Sequence, residues 1–310
     1  MLRGQWRRHA TKSGIKAALH DKDRTKTKTA LAGAAGEKGL TQMQDTKITL
    51  GNQADIKRTL AFFHGGGTVF EIRGLGPKRP TSKLWEGYAG GNKGTVSGYF
   101  DNLDIAAKAV ADLDAVGFQG LYVTLNPVSP DLLARANNRL RAAQKGESTS
   151  DVDILSLRWV LFDMDPIRAS GISSSDEEHQ AALTFCKRVK ADLSADGWPD
   201  PLFADSGNGA HLLYAVDLQN APEGKNLIKN VLAGLLRRYA NHAIVVEGKE
   251  HPCVRWNDVN IEIDQTVHNA SRISKIYGTW ARKGDRIPDR PHRLARIIEL
   301  PSKDGGTAND

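Results

Sequence analysis

Trp159-Val160-Leu161-Phe162-Asp163-Met164-Asp165 is an apolar run closed by two aspartates one residue apart. Residues i and i+2 of a strand point to the same face, so a strand here puts both carboxylates on one side of a sheet. Two like charges ending a buried strand are costly unless a positive group sits between them. Divalent cations meet that need, and two carboxylates with a third from elsewhere hold a pair of Mg2+ or Mn2+ ions. An arbitrary Asp-x-Asp more often faces solvent, so the surrounding chain decides.

Downstream the pattern is regular. A strand over 158–165 leads to Ser175-Asp176-Glu177-Glu178, a capping box, and a helix burying Ala182, Phe185, Val189 and Leu193 until Asp196-Gly197. Strand 202–204 turns through Ser206-Gly207-Asn208-Gly209 into strand 211–218, a hairpin with strong turn chemistry. Pro222 opens a helix carrying Leu227, Val231, Leu235 and Leu236, and a last strand spans 259–264. The order is β-α-β-β-α-β, the ferredoxin-like or RRM-like arrangement. In it the third strand lies between the first and second, and the fourth flanks the first. His211 then meets the end of the Asp163 strand, and Asp264 arrives from the other side.

Upstream, a helix is expected from near Asn52 to Gly65-Gly66-Gly67, a strand over 68–72 and a loop over 77–98. A helix over 102–116, a strand over 121–125 and a helix over 131–141 follow, and polar residues 144–150 read as a linker. The chain divides into a basic N-terminal segment (1–50), a first αβ module (51–150), a βαββαβ module (151–300) and a polar tail (301–310). The fold class is α+β.

The net charge of +7 is uneven: residues 1–60 hold 13 Lys and Arg against 5 Asp and Glu. Arg272, Lys275, Arg282, Lys283, Arg286, Arg290, Arg293 and Arg296 form a second basic stretch opposed by Asp285 and Asp289. Basic stretches flanking a neutral body suggest a polyanionic partner, most often nucleic acid. The first 45 residues, poor in apolar side chains, read as a disordered tail. Two cysteines without Cys-x-x-Cys spacing indicate neither a zinc ribbon nor a disulfide framework, which sets a reducing, cytoplasmic default. No apolar run approaches the roughly 20 residues of a membrane span, and no signal peptide is evident.

Candidate site residues follow from this order. The glycines of Ser206-Gly207-Asn208-Gly209-Ala210-His211 permit close backbone approach to a phosphate, with a hydroxyl and an imidazole alongside. Alternation alone leaves Glu262 and Asp264 equal as the third carboxylate. Asp151 and Asp153, in the polar segment before the strand, are discounted. After Asp264, Arg272 and Lys275 form a cationic pair at i, i+3 such as bound phosphates require.

These residues resemble the archaeo-eukaryotic primase superfamily, in particular its phage and plasmid primase-polymerases. Members carry Asp-x-Asp on a strand, a Ser-Gly-x-Gly-x-His hairpin some forty residues on, a hydrophobic-Asp third motif and an Arg-Ile-x-Lys-x-x-Gly-Thr segment, here Arg272 to Thr279. The resemblance spans roughly 60–300 and includes Phe70-Glu71-Ile72-Arg73 and Tyr122-Val123-Thr124-Leu125-Asn126-Pro127. It implies a primase catalytic core, an N-terminal αβ module packed on an RRM-like module. It implies Asp163, Asp165 and Asp264 as ligands of two Mg2+ or Mn2+ ions, with Glu262 second choice. Ser206, Gly207, Asn208, Gly209 and His211 would bind the nucleoside triphosphate, and Arg272 with Lys275 its phosphates.

The implied activity is primer synthesis on single-stranded DNA in phage or plasmid replication, with a separate helicase as possible partner. The chain departs from many relatives at Asn269-Ala270, where they have Asn-Pro. It also lacks a zinc-binding element and the Gly-x-x-x-x-Gly-Lys-Ser/Thr of a helicase. A nicking initiator wants His-hydrophobic-His, and Ala210-His211-Leu212 supplies one histidine. The other nucleotidyltransferase fold wants a Gly-Ser turn before its Asp-x-Asp, and none precedes Trp159. An RRM-like single-strand-binding module is the non-enzymatic rival; its central strands would carry aromatics where this chain has carboxylates.

Overall fold

The computed structural model describes residues 52–65, 67–77, 94–246 and 248–302. The tail over 1–50, most of the 77–98 loop and residues 303–310 of the polar tail lie outside them. Leu50–Asp310 is one compact unit. Its elements are α1 (Gln53–Phe63), β1 (Phe70–Pro77), β2 (Thr95–Phe100), α2 (Leu103–Val116), β3 (Phe118–Thr124) and β4 (Arg141–Ala142). Then come β5 (Ser156–Pro166), α3 (Asp176–Ala195), β6 (Leu202–Asp205), β7 (Ala210–Gln219) and α4 (Pro222–Tyr239). The chain ends with β8 (His242–Val246), β9 (Lys249–Trp256), β10 (Val259–Ile263), β11 (Ile273–Lys275), β12 (Trp280–Ala281), β13 (Arg293–Leu294) and β14 (Arg296–Glu299).

The larger sheet runs β14-β6-β7-β5-β10-β9-β8. Its centre, β6-β7-β5-β10, is the order expected for β-α-β-β-α-β. The capping box forms: Ser175 Oγ accepts from Glu178 N while the Glu178 carboxylate accepts from Ser175 N. On β5 the two faces separate cleanly. Phe162 meets Trp198 and Tyr214 on the side covered by the helices, where Trp256 also donates to Thr184 of α3. Trp159, in step with Asp163, instead packs its ring on Phe62 and Phe63 of α1 at 4.8 and 5.8 Å. The aspartate face therefore looks away from α3 toward the first part of the chain.

The smaller sheet runs β11-β3-β1-β2-β4. Ile72 and Val123, paired across β1 and β3, are fully buried in one core with Ile56 and Leu60 of α1 and Val110 of α2. Its other face is polar. Glu71, 0% exposed, accepts from Arg73 Nη2 at 2.6 Å, Ser97 Oγ at 2.5 Å and Thr149 N at 3.1 Å. Sheet membership crosses the division at residue 150, because β11, from late in the chain, completes this sheet beside β3.

Three expectations change. Residues 131–141 form no α-helix: a 3-10 turn covers Pro130–Arg135, and Asn138 then adopts φ 47. That left-handed residue ends any helical run, and its side chain braces the turn before α2 by accepting from Asp101 N and Asn102 N. Thr95–Phe100, within and just past the expected loop, is a strand. Gly98 read as a loop marker, but the Arg139 carbonyl crosses where its Cβ would stand. Residues 144–150 are no slack linker, since Thr149 is buried on Glu71 and Arg141 pairs with Glu147 at 3.0 Å.

Candidate active site

Register brings the predicted groups together. Asp163 is paired with His211 across β5 and β7, and Glu262 is paired with Asp165 across β10 and β5. One step further, Asp264 N donates to Asp163 O at 3.0 Å. Directly paired residues share a face, so Asp163, Asp165, His211, Glu262 and Asp264 lie on one side of three adjacent strands. His211 is buried, its Nε2 3.5 Å from Asp163 Oδ1 and its Nδ1 2.9 Å from the Tyr277 hydroxyl.

Asp165 Oδ2 lies between two cations, Arg168 Nη2 at 3.7 Å and Lys283 Nζ at 3.8 Å. Arg168 is itself anchored, donating to the carbonyls of Pro166 and Ile172. Asp264 Oδ1 accepts from both the N and Oγ1 of Thr266 at 2.7 Å. With Asp165 and Asp264 so engaged, no three His, Cys, Asp or Glu side chains among the described residues close on one metal position. The donor set still fits hard dications: three carboxylates on adjacent strands supply the oxygen ligands that Mg2+ and Mn2+ favour.

The Ser206–Gly209 turn is stitched to itself. Ser206 Oγ accepts from Gly209 N at 2.9 Å and Asn208 N at 3.4 Å, and Gly207 N donates to Asp205 Oδ1 at 2.7 Å. The same Asp205 oxygen accepts from the His179 ring at 2.8 Å, and Asn208 Oδ1 accepts from Ser174 N at 2.9 Å. These amides are spent within the protein rather than turned outward as a phosphate cradle. The glycines serve packing: Gly207 has φ +87 beside Ala281, and a Cβ on Gly209 would overlap Asp165 Oδ1 and Met164 O. Gly209 is the space in which Asp165 sits. What Ser206 has left to offer a ligand is its hydroxyl proton.

The cationic pair is not brought to the carboxylates as one unit. Arg272 donates to Thr266 O at 2.7 Å, beside Asp264's own partner. Lys275 is 4% exposed and donates to Trp280 O at 2.8 Å, over the Tyr122 ring. Burial lowers its pKa to about 7. Tyr277, Arg168 and Lys283 touch the site; Lys283 was named only within the basic stretch, and the other two were not singled out from sequence. Tyr277 and Lys283 fell in quoted segments, but no spacing rule marks a partner that arrives from another sheet.

No family model matches the chain, and no curated protein matches it. Among solved structures, primase RepB' is similar with TM-score 0.39 and 12% identity over 80% of this chain. The chain spans 56% of the length of that RepB' structure. The catalytic domain of RepB' in complex with initiator DNA gives TM-score 0.38 and 13% identity, covering 80% of this chain and 84% of that one. The polymerase domain from Mycobacterium tuberculosis ligase D in complex with DNA gives 0.40 and 14%, covering 79% and 81%. Likeness this loose does not fix chemistry, which has to come from the residues above. Among the described residues no helix is long and apolar enough to cross a membrane.

Proposed function

We propose that the chain is a nucleotidyltransferase of the archaeo-eukaryotic primase type, in which an RRM-like βαββαβ module carries the site and the first αβ module packs against it. It extends or initiates primers on single-stranded DNA from nucleoside triphosphates. The observation that carries this reading is the register: Asp163 has His211 on one neighbouring strand and Asp264 on the other.

Asp163, Asp165 and Asp264 would hold two Mg2+ or Mn2+ ions, which when bound acidify the attacking hydroxyl and neutralise the departing pyrophosphate. The side chains do the rest. His211 Nε2 donates to a phosphate oxygen and orients the triphosphate. Lys283 and Arg168, now on Asp165, offset charge on the phosphates, and Arg272 supports the strand end at Asp264. The template is single-stranded DNA held by basic surface. A phage or plasmid origin, the bacterial cytoplasm and a separate replicative helicase complete the proposed setting.

Primer synthesis on single-stranded DNA with labelled NTPs or dNTPs and Mn2+ tests the reading. Wild type incorporates nucleotide and Asp163→Ala does not; equal activity in the two sinks the metal assignment. One observation favours a second reading, an RRM-like binding initiator with weak catalysis: Asp165 and Asp264 are already engaged by protein groups. Salt-sensitive single-strand binding by wild type without metal-dependent synthesis would select it.

A further inference from the structure

Asp264 commits one carboxylate oxygen and keeps the other. Oδ1 accepts from both the N–H and the hydroxyl of Thr266, each at 2.7 Å. Oδ2 accepts from no protein group among the described residues. A carboxylate oxygen carries two lone pairs, so Thr266 alone fills Oδ1 and leaves both sites of Oδ2 open.

Thr266 is itself held from the other sheet. Arg272 Nη2 donates to the Thr266 carbonyl at 2.7 Å, and the Arg272 carbonyl accepts from Leu125 N, just past β3, at 2.9 Å. Asp264 N meanwhile donates to Asp163 O of β5 at 3.0 Å. The larger sheet therefore fixes the backbone of Asp264, and a loop tied to the smaller sheet fixes its carboxylate.

We infer that Thr266 is a positioning residue for Asp264: it sets the rotation of the carboxylate so that Oδ2 is the atom offered to a divalent cation. The inference rests on the metal reading above. Both Thr266 donors are neutral, so they orient the carboxylate without cancelling its charge, as hydrogen bonds orient ligating carboxylates in metal sites. Asp165 differs, because charged Arg168 and Lys283 lie against its Oδ2. A side chain already held in one rotation also loses less freedom when the ion binds. The binding-initiator reading gives the same contact the opposite sign, since a Thr266 that merely occupies Asp264 competes with a metal. Thr266 is exposed, so removing its hydroxyl opens no cavity.

The test is Mn2+ binding to the full chain without nucleotide, followed by the paramagnetic resonance signal of the free ion. Binding that Asp163→Ala abolishes counts as binding at the site. Thr266→Val and Thr266→Ala keep the N–H and remove the hydroxyl, and each should weaken that binding about tenfold at an unchanged melting temperature. Thr266→Ser should restore it. Equal or tighter Mn2+ binding in the folded Val and Ala variants overturns the inference. If wild type shows no binding that Asp163→Ala abolishes, the inference falls together with the metal assignment. Wild type that binds Mn2+ at the site yet incorporates no nucleotide sinks the primase reading alone, and the Thr266 comparison still decides.

Discussion

Asp264 donates its backbone N–H to the Asp163 carbonyl at 3.0 Å, one step past the last pair of β10 and β5, Ile263 with Met164. A slip of one residue would put Ile263 on the aspartate face and turn Asp264 into the helix-covered core. The buried Ile261 and Ile263, alternating with Glu262 and Asp264, make that slip costly.

The same register separates two carboxylates that alternation alone leaves equal. Asp264 adjoins Asp163, while Glu262 lies across from Asp165. If Asp264 holds a metal ion as proposed, Asp264→Ala should lower kcat for nucleotide incorporation by about 100-fold. Glu262→Ala should cost far less. Steady-state incorporation by the two variants, each checked for an unchanged melting temperature, compares them; equal losses would mean that Glu262 is also a ligand.

Gly209 offers a steric test. Its Cβ would overlap Asp165 Oδ1 and Met164 O, so Gly209→Ala must part β5 from β7 or displace Asp165. A loss of roughly 2–4 kcal/mol in urea unfolding is expected, with incorporation falling as well. Gly171, at φ +83 with nothing near its missing Cβ, is the control: Gly171→Ala should cost about 1 kcal/mol and spare activity.

Glu71 belongs to a motif quoted for its family resemblance, yet its partners are structural. Glu71→Ala strips a fully buried carboxylate from Arg73, Ser97 and Thr149 and leaves an unpaired guanidinium behind. The urea midpoint should fall by the equivalent of about 3–5 kcal/mol. Protein that remains folded should keep its nucleotide KM, since none of these partners lies among the carboxylates of the larger sheet.

Lys275 predicts a pH dependence of stability. Burial lowers its pKa to about 7, whereas the unfolded chain restores a value of about 10.4. Between those values the unfolded state holds a proton that the folded state has released, so stability from this group rises with pH across the window. It is lost as pH falls through 7. Melting curves of wild type and Lys275→Met should diverge in favour of wild type by about 5 °C between pH 7 and pH 10. A constant difference would mean the ammonium stays charged in the fold.

What sequence shows and hides can be traced to particular residues. Ser175, Glu178, Pro222 and the glycines at 207 and 209 are local signals, and the elements they bound appear where expected. The meeting of Asp163 with His211 was legible because strand order follows from β-α-β-β-α-β topology. The β8–β9 hairpin escaped notice because Pro252 and exposed Val245 spoil strand periodicity. Charge proved a poor guide to placement: Lys275 reads as a phosphate contact, but its stem is buried and its ammonium sits on a backbone carbonyl. The amides of the Ser206 turn were likewise unreadable as donors, since only the fold reveals that Asp205 and Ser206 already take them.

β3 has β1 along one edge, and its other edge is covered by Ile273–Lys275 with Arg272, Ile276 and Arg282 bonding beside it. During synthesis residues 118–124 leave the ribosome long before residues 273–275 exist. Until then β3 presents an open row of backbone N–H and C=O groups, the template on which chains stack and aggregate. A late-made stretch is thus a guard for the earliest-made sheet, and a ribosome stalled short of residue 272 releases a chain with that edge bare.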